Sequence, residues 1–237
     1  MNKILQTSLL LISVLILKSC GPPEFEKNTR ILSKGVLQNQ NGEPLSGIEV
    51  SVYTRAFNGE FYVFGSNEDD YLLGNGFSNA NGLFSVTSLF DKDDDFYIYV
   101  NGGDNYSSYI FKTTTEDYIP NDLTFDLGSI TLEKLATVQF QITNSTPSET
   151  PFYFSFTHKD KNCLEIFEEG ILDISQDFCH TDSVLGFSFN ENNPERSGEF
   201  ITLLDSEVTI YYTNNDDIEV TETIIIDQEN FVYEFTL

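Results

Sequence analysis

The sequence predicts an all-β chain of two antiparallel β-sandwich domains, and three observations carry that expectation. From Ile31 onward the apolar residues recur with a period of two, which gives a strand one face for a core and one for water. Asn-Gly pairs stand at Asn41-Gly42, Asn58-Gly59, Asn75-Gly76, Asn81-Gly82 and Asn101-Gly102, and this pair readily takes the positive φ angles of tight turns. Roughly fourteen short segments at such spacing suit sandwiches or barrels. No convincing helical period follows residue 30.

The first thirty residues obey different rules. Lys3 precedes an apolar run from Leu5 to Leu17, closed by Lys18, Ser19 and Cys20. This is the order of charge, apolar core and small residue found in a secretory leader, and the core is short of the roughly 20 apolar residues a membrane span needs. Leu17, Ser19 and Cys20 resemble the lipobox of bacterial lipoproteins. The resemblance implies a cleaved signal peptide over 1–19, diacylglycerol on the Cys20 thiol and an acyl group on its new amino terminus. One acyl chain holds a protein only marginally, at about 0.8 kcal/mol per buried methylene, so several together make a lasting tether. Residues 20–30, with Pro22, Pro23 and charged neighbours, suit an extended spacer. Gly21 after the cysteine, where the family carries Asp in proteins kept at the inner membrane, implies passage to the outer membrane.

In the body of the chain, Ile48, Val50 and Val52 alternate with polar residues, as do Phe96, Ile98 and Val100, then Val138, Phe140 and Ile142, then Phe152, Phe154 and Phe156. The run Asn41-Gly42-Glu43-Pro44-Leu45-Ser46-Gly47-Ile48 and the later Asn79-Ala80-Asn81-Gly82-Leu83-Phe84 resemble the carboxypeptidase regulatory-like domain. That resemblance implies a transthyretin-like sandwich over 31–132, used as an accessory module. Leu127 to Leu132 reads as its closing strand, Glu133-Lys134 as a short junction, and Ala136 to Asn144 as the opening strand of a second sandwich over 133–237, Ig-like or similar. Further strands are expected near 151–158, 184–190, 199–213, 217–227 and 230–237.

Composition narrows function. The formal net charge is −26, and removing the leader takes away Lys3 and Lys18 and no acid, giving −28. Such a field opposes nucleic acid and anionic lipid headgroups, whose phosphates need clustered Lys and Arg. Yet 40% of residues are hydrophobic and 14% aromatic, far from the aromatic-poor signature of disorder.

With Cys20 assigned to lipid, Cys163 and Cys179 remain as a pair in an exported chain. A disulfide is the leading reading, with free thiols or a zinc site including His158 and His180 as alternatives. Asp91, Asp93 and Asp95 form an oxygen-rich stretch that could hold calcium. Phe96 stands where an EF-hand needs its Gly and Gly102 where it needs its bidentate acid, so a solvated acidic turn is favoured.

No nucleophile elbow, phosphate loop, zinc-protease helix or dinucleotide fingerprint occurs. The chain is therefore expected to be no enzyme and to need no cofactor, acting through protein contacts as an envelope lipoprotein. An exported hydrolase using two carboxylates is a lesser alternative. So is glycan binding through Phe61, Tyr62, Phe64, Tyr71, Tyr106 and Tyr109, although aromatic residues in alternating strands pack more often than they bind.

Overall fold

The computed structural model describes residues 25–54, 71–91, 95–114, 119–145, 152–176, 178–213 and 218–236. The expected leader, Cys20 and residues 21–24 lie outside them, whereas residues 25–30, expected as spacer, open the first strand. The described chain is all-β, its only helical element a single 3-10 turn over Ile174–Gln176.

The first sandwich uses β1 (Phe25–Asn39), β2 (Glu49–Thr54), β3 (Tyr71–Phe77), β4 (Leu83–Asp91), β5 (Asp95–Asn101), β6 (Ser108–Thr114) and β7 (Thr124–Leu132). One sheet has the order β4-β1-β7, and facing it runs β6-β5-β2-β3. The alternating residues named above supply the inner faces, with Ile31, Leu37, Phe84, Val86 and Phe125 meeting Val50, Val52, Phe96, Ile98 and Phe111 in one core. The Phe96 and Phe125 rings stack across it with centroids 5.1 Å apart.

The two recognised turns are built alike. Asn39 Oδ1 accepts the backbone N–H groups of Asn41 and Glu43 at 3.0 and 2.9 Å, and Asn79 Oδ1 accepts those of Asn81 and Leu83 at 2.9 and 3.1 Å. Gly82, at φ 74°, donates its N–H to Asn79 O. A Cβ there would stand 2.2 Å from Leu37 O, so no larger residue fits between this turn and β1.

The second sandwich uses β8 (Leu135–Thr143) and β9 (Phe152–Lys159), then, after an excursion through β10 (Asn162–Glu168) and β11 (Ile171–Leu172), β12 (Asp182–Phe189), β13 (Glu195–Leu203), β14 (Glu207–Thr213), β15 (Glu219–Ile225) and β16 (Asn230–Thr236). Its sheets run β13-β8-β16 and β12-β9-β14-β15. Set side by side, β8, β9, β12, β13, β14, β15 and β16 pair as β1 to β7 do, partner for partner and in the same directions. The two sandwiches thus share one strand plan, which the sequence reading did not detect.

Three findings amend the expectations. The stretch 199–213 is not one strand, because a turn with Asp205 at φ 61° divides β13 from β14. The sheets are not wholly antiparallel, since β1 runs parallel to β7 and β8 parallel to β16. In each case the last strand arrives from the facing sheet, so no tight hairpin forces the opposite direction. Finally, β10 leaves the second sandwich and adds in parallel to β6, completing a sheet of order β11-β10-β6-β5-β2-β3. The expected division at 132/133 is crossed by this segment.

Candidate binding surfaces

The junction brings most of the polar chemistry together. Glu133 and Lys134 alone separate β7 from β8, and their backbone is held from both sides. Glu133 N–H donates to Ser107 Oγ at 2.9 Å, Ser107 N–H returns to Glu133 O at 2.7 Å, and Leu204 N–H donates to Lys134 O at 2.8 Å. Lys134 Nζ pairs with Glu229, and this carboxylate holds the ammonium above its ordinary pKa. The chain crosses here a second and third time on its way to and from β10. Ser108 N–H donates to Lys161 O at 3.0 Å and Asp160 N–H to Thr181 O at 2.9 Å. A hinge movement between the sandwiches would break several of these bonds at once.

A cavity of about 330 Å³ opens beside this junction, lined by Asn39, Asn41, Glu43, Tyr106, Lys134 and Asp205 among others. Its polar groups largely satisfy one another: Asn39 Nδ2 donates to Glu43 Oε2 at 2.8 Å, and Lys134 is taken by Glu229.

Cys163 and Cys179 are joined by a disulfide, sixteen residues apart in sequence. Cys163 is the second residue of β10 and Cys179 lies in the return segment, so the bond closes the excursion on itself. Phe167 packs with Cys163 against the first core, its ring 4.4 Å from that of Phe111. On the other face Leu164 joins Tyr97, Tyr99 and Ile110. Tyr109 O–H donates to Glu165 across the β6–β10 pair.

Both sulfurs being bonded, neither can serve zinc as a thiolate. His158 Nδ1–H donates to Lys159 O at 3.2 Å and His180 Nδ1–H to Asp160 O at 3.0 Å. The His158 ring stacks on Phe200 at 4.5 Å, and burial pushes its pKa down. Among the described residues no cluster of three or more His, Cys, Asp or Glu is placed to hold a metal ion. Of the calcium candidates, Asp91 ends β4, Asp95 begins β5, and Asp93 lies outside the described residues.

Among the described residues, the proposed sugar-binding aromatics do not share one surface. Tyr71 is 39% exposed on edge strand β3, Tyr106 lies at the junction beside Lys134, and Tyr109 is buried. Phe61, Tyr62 and Phe64 lie outside the described residues.

What sequence reasoning missed was β10. Its signal was present: Cys163 and Phe167 on one face and Leu164 and Ile166 on the other, ended by Glu169 and Gly170 at φ 50° and 78°. Apolar residues on both faces mark a strand covered on both sides.

No family model matches the chain, and no curated protein does. Solved structures similar to it include the Bacillus anthracis TIE protein, at 9% identity and TM-score 0.33, covering 89% of this chain and 34% of that one. The D295N mutant of shaft pilin SpaA from Lactobacillus rhamnosus GG aligns at 10% identity and TM-score 0.32 over 87% of this chain and 96% of its own. A streptococcal ancillary pilin aligns at 11% and 0.31, over 89% and 63%. This chain thus spans about a third of the length of the first. Likenesses at these scores carry no argument about role, and the all-β assignment stands on the sheets themselves.

Proposed function

We propose that the chain is a non-catalytic lipoprotein of the bacterial envelope, held at the outer membrane through lipid on Cys20 and presenting two stitched β-sandwiches as a stiff structural and protein-binding unit. The observation that carries this reading is the junction: a two-residue link hydrogen-bonded on both sides, with β10 and its return reaching back across it. A unit so joined transmits position from a tether to a distal face, which a flexible pair of domains does poorly. The commitment of both histidine Nδ1 atoms to backbone carbonyls and of both body cysteines to a disulfide supports a non-catalytic role. The acidic surface supports a protein partner over nucleic acid.

Cys20→Ala tests the tether. Cells fed a radiolabelled fatty acid should label the unmodified chain and leave the variant unlabelled and released from washed membranes. A variant that stays firmly membrane-bound and uncut would overturn the reading.

A further inference from the structure

The shared strand plan makes the edges of the two sandwiches directly comparable. Strand β6 of the first corresponds to β15 of the second, each being the strand beyond the one that pairs with β2 or β9. In the first sandwich this position is covered. β10 runs parallel to β6 from Asn162↔Ser108 to Phe167↔Thr113, and Ser108, Tyr109, Ile110, Phe111 and Thr113 are all buried. In the second, among the described residues, it is open: β15 pairs there only with β14, its register from Glu219 to Ile225 is unbroken by a bulge, and Glu219, Thr221, Glu222, Thr223 and Ile225 are exposed. It contains no proline and no bulge, two of the features that disarm an edge, while Glu219 and Glu222 give it a charge that a partner must match.

Charge tells the two positions apart and names the occupant. β6 offers Lys112, and the strand laid on it brings Glu165 and Glu168. On its solvent-facing side β15 offers Glu219, and Glu207 stands on the same side of β14; Glu222 lies on the opposite face, where Tyr212 O–H donates to it at 3.1 Å, and neither strand carries a Lys or Arg. A second copy of a chain with formal charge −26 would be repelled there. An extended segment with basic residues at alternate positions would complete the ladder and set its cations on the face that carries Glu219.

We propose that the β15 edge is a docking site for an extended, Lys- or Arg-bearing segment of a partner protein, which adds in parallel to β15 as β10 adds to β6. This deepens the protein-binding reading above and rests on it. Main-chain bonds supply affinity and the acids supply selectivity for basic segments.

The test uses the full chain in detergent and two synthetic ten-residue peptides, one alternating Lys with Val and Thr, the other with Glu in place of each Lys. The Lys peptide should slow amide hydrogen exchange over 218–226 and leave 108–114 unchanged. A photo-crosslinker on its amino terminus should mark the chain near Glu219, as a parallel strand requires. The pair Glu219→Lys and Thr223→Lys, both at exposed positions, should weaken the Lys peptide at least tenfold and turn preference to the Glu peptide. The proposal is overturned by no binding, by binding without protection of 218–226, by crosslinking near Ile225, or by equal affinity for the charge-reversed chain. The exchange readout needs no variant, so misfolding of the double substitution cannot obscure the result. Membrane retention plays no part in it, and failure here leaves the Cys20 tether standing.

Discussion

In the first sandwich, β2 turns Val50, Val52 and Thr54 toward the core; in the second, the corresponding β9 turns Phe152, Phe154, Phe156 and half-buried His158. The second core is a web of rings, with Phe154 stacked on Tyr212 at 5.9 Å and Phe140 tilted against Phe156 at 5.2 Å. The first mixes branched aliphatics with the buried hydroxyls of Ser33, Ser88 and Thr113. Both cores nevertheless close the same seven-strand plan. Alternation, turn placement and crossover connections therefore set the topology, while the identity of the filling sets only how well it packs. Among the described residues the departure from the shared plan is the β10 excursion, which lends the first sandwich an edge strand taken from the second half of the chain.

The largest effect should come from undoing that loan. Replacing Cys163 and Cys179 by Ser removes a sixteen-residue cross-link, worth about 3 kcal/mol in the chain-entropy model, or roughly 6–12 °C in melting midpoint for a chain of this size. Amide exchange should rise over β6 and β10 and stay unchanged over β14 and β15. An unchanged midpoint would mean that the β6–β10 ladder and the Phe111–Phe167 contact hold the segment without the covalent clasp.

This asymmetry also explains what could and could not be read in advance. Strands such as β5 and β8 were legible because one face is buried and one solvated, and the Asn-Gly turns at 41–42 and 81–82 were legible because glycine alone takes their φ without strain. The corresponding turn in the second sandwich was obscure. There Asn190 Oδ1 accepts the N–H groups of Asn192 and Asn193 at 2.9 and 3.1 Å, much as Asn79 does for its own turn, yet no glycine advertises it. The Asp205 turn hid for the same reason. β10 was missed because nothing local tells a strand that its partner lies fifty residues back in another sandwich. The site was less legible than the fold, since an open edge is a property of pairing, which the residues of β15 alone do not state.

The filled cores also predict opposite responses to deleting a hydroxyl. Ser33 Oγ and Ser88 Oγ are buried with no hydrogen-bond partner among the described residues, whereas Thr202 Oγ1, equally buried in the second sandwich, donates to Lys159 O at 3.0 Å. Ser33→Ala and Ser88→Ala should each raise stability by up to about 1 kcal/mol, and Thr202→Val should lower it by about the same amount. Denaturant midpoints at constant slope would register both signs. A loss on Ser88→Ala would show that its oxygen has a partner in the folded chain.

The smallest effect concerns acid. Burial pushes the His158 pKa below its unfolded value of about 6.5, while its bond to the Lys159 carbonyl and the charges of Asp160 and Asp182 pull it partly back. A depressed histidine is neutral in the folded state at a pH where the unfolded chain already binds a proton, so the unfolded state gains as pH falls below about 6.5. The stability lost in this way grows until the pH passes the folded pKa and then levels off. The first sandwich has no histidine in its core, so this slope belongs to the second. His158→Phe, which keeps a ring against Phe200, should flatten the dependence of the melting midpoint on pH just below 6.5 and leave the carboxylate-driven loss at lower pH in place. If the slope persists in the variant, His158 is not the group that senses the proton, and the stack on Phe200 tolerates an imidazolium.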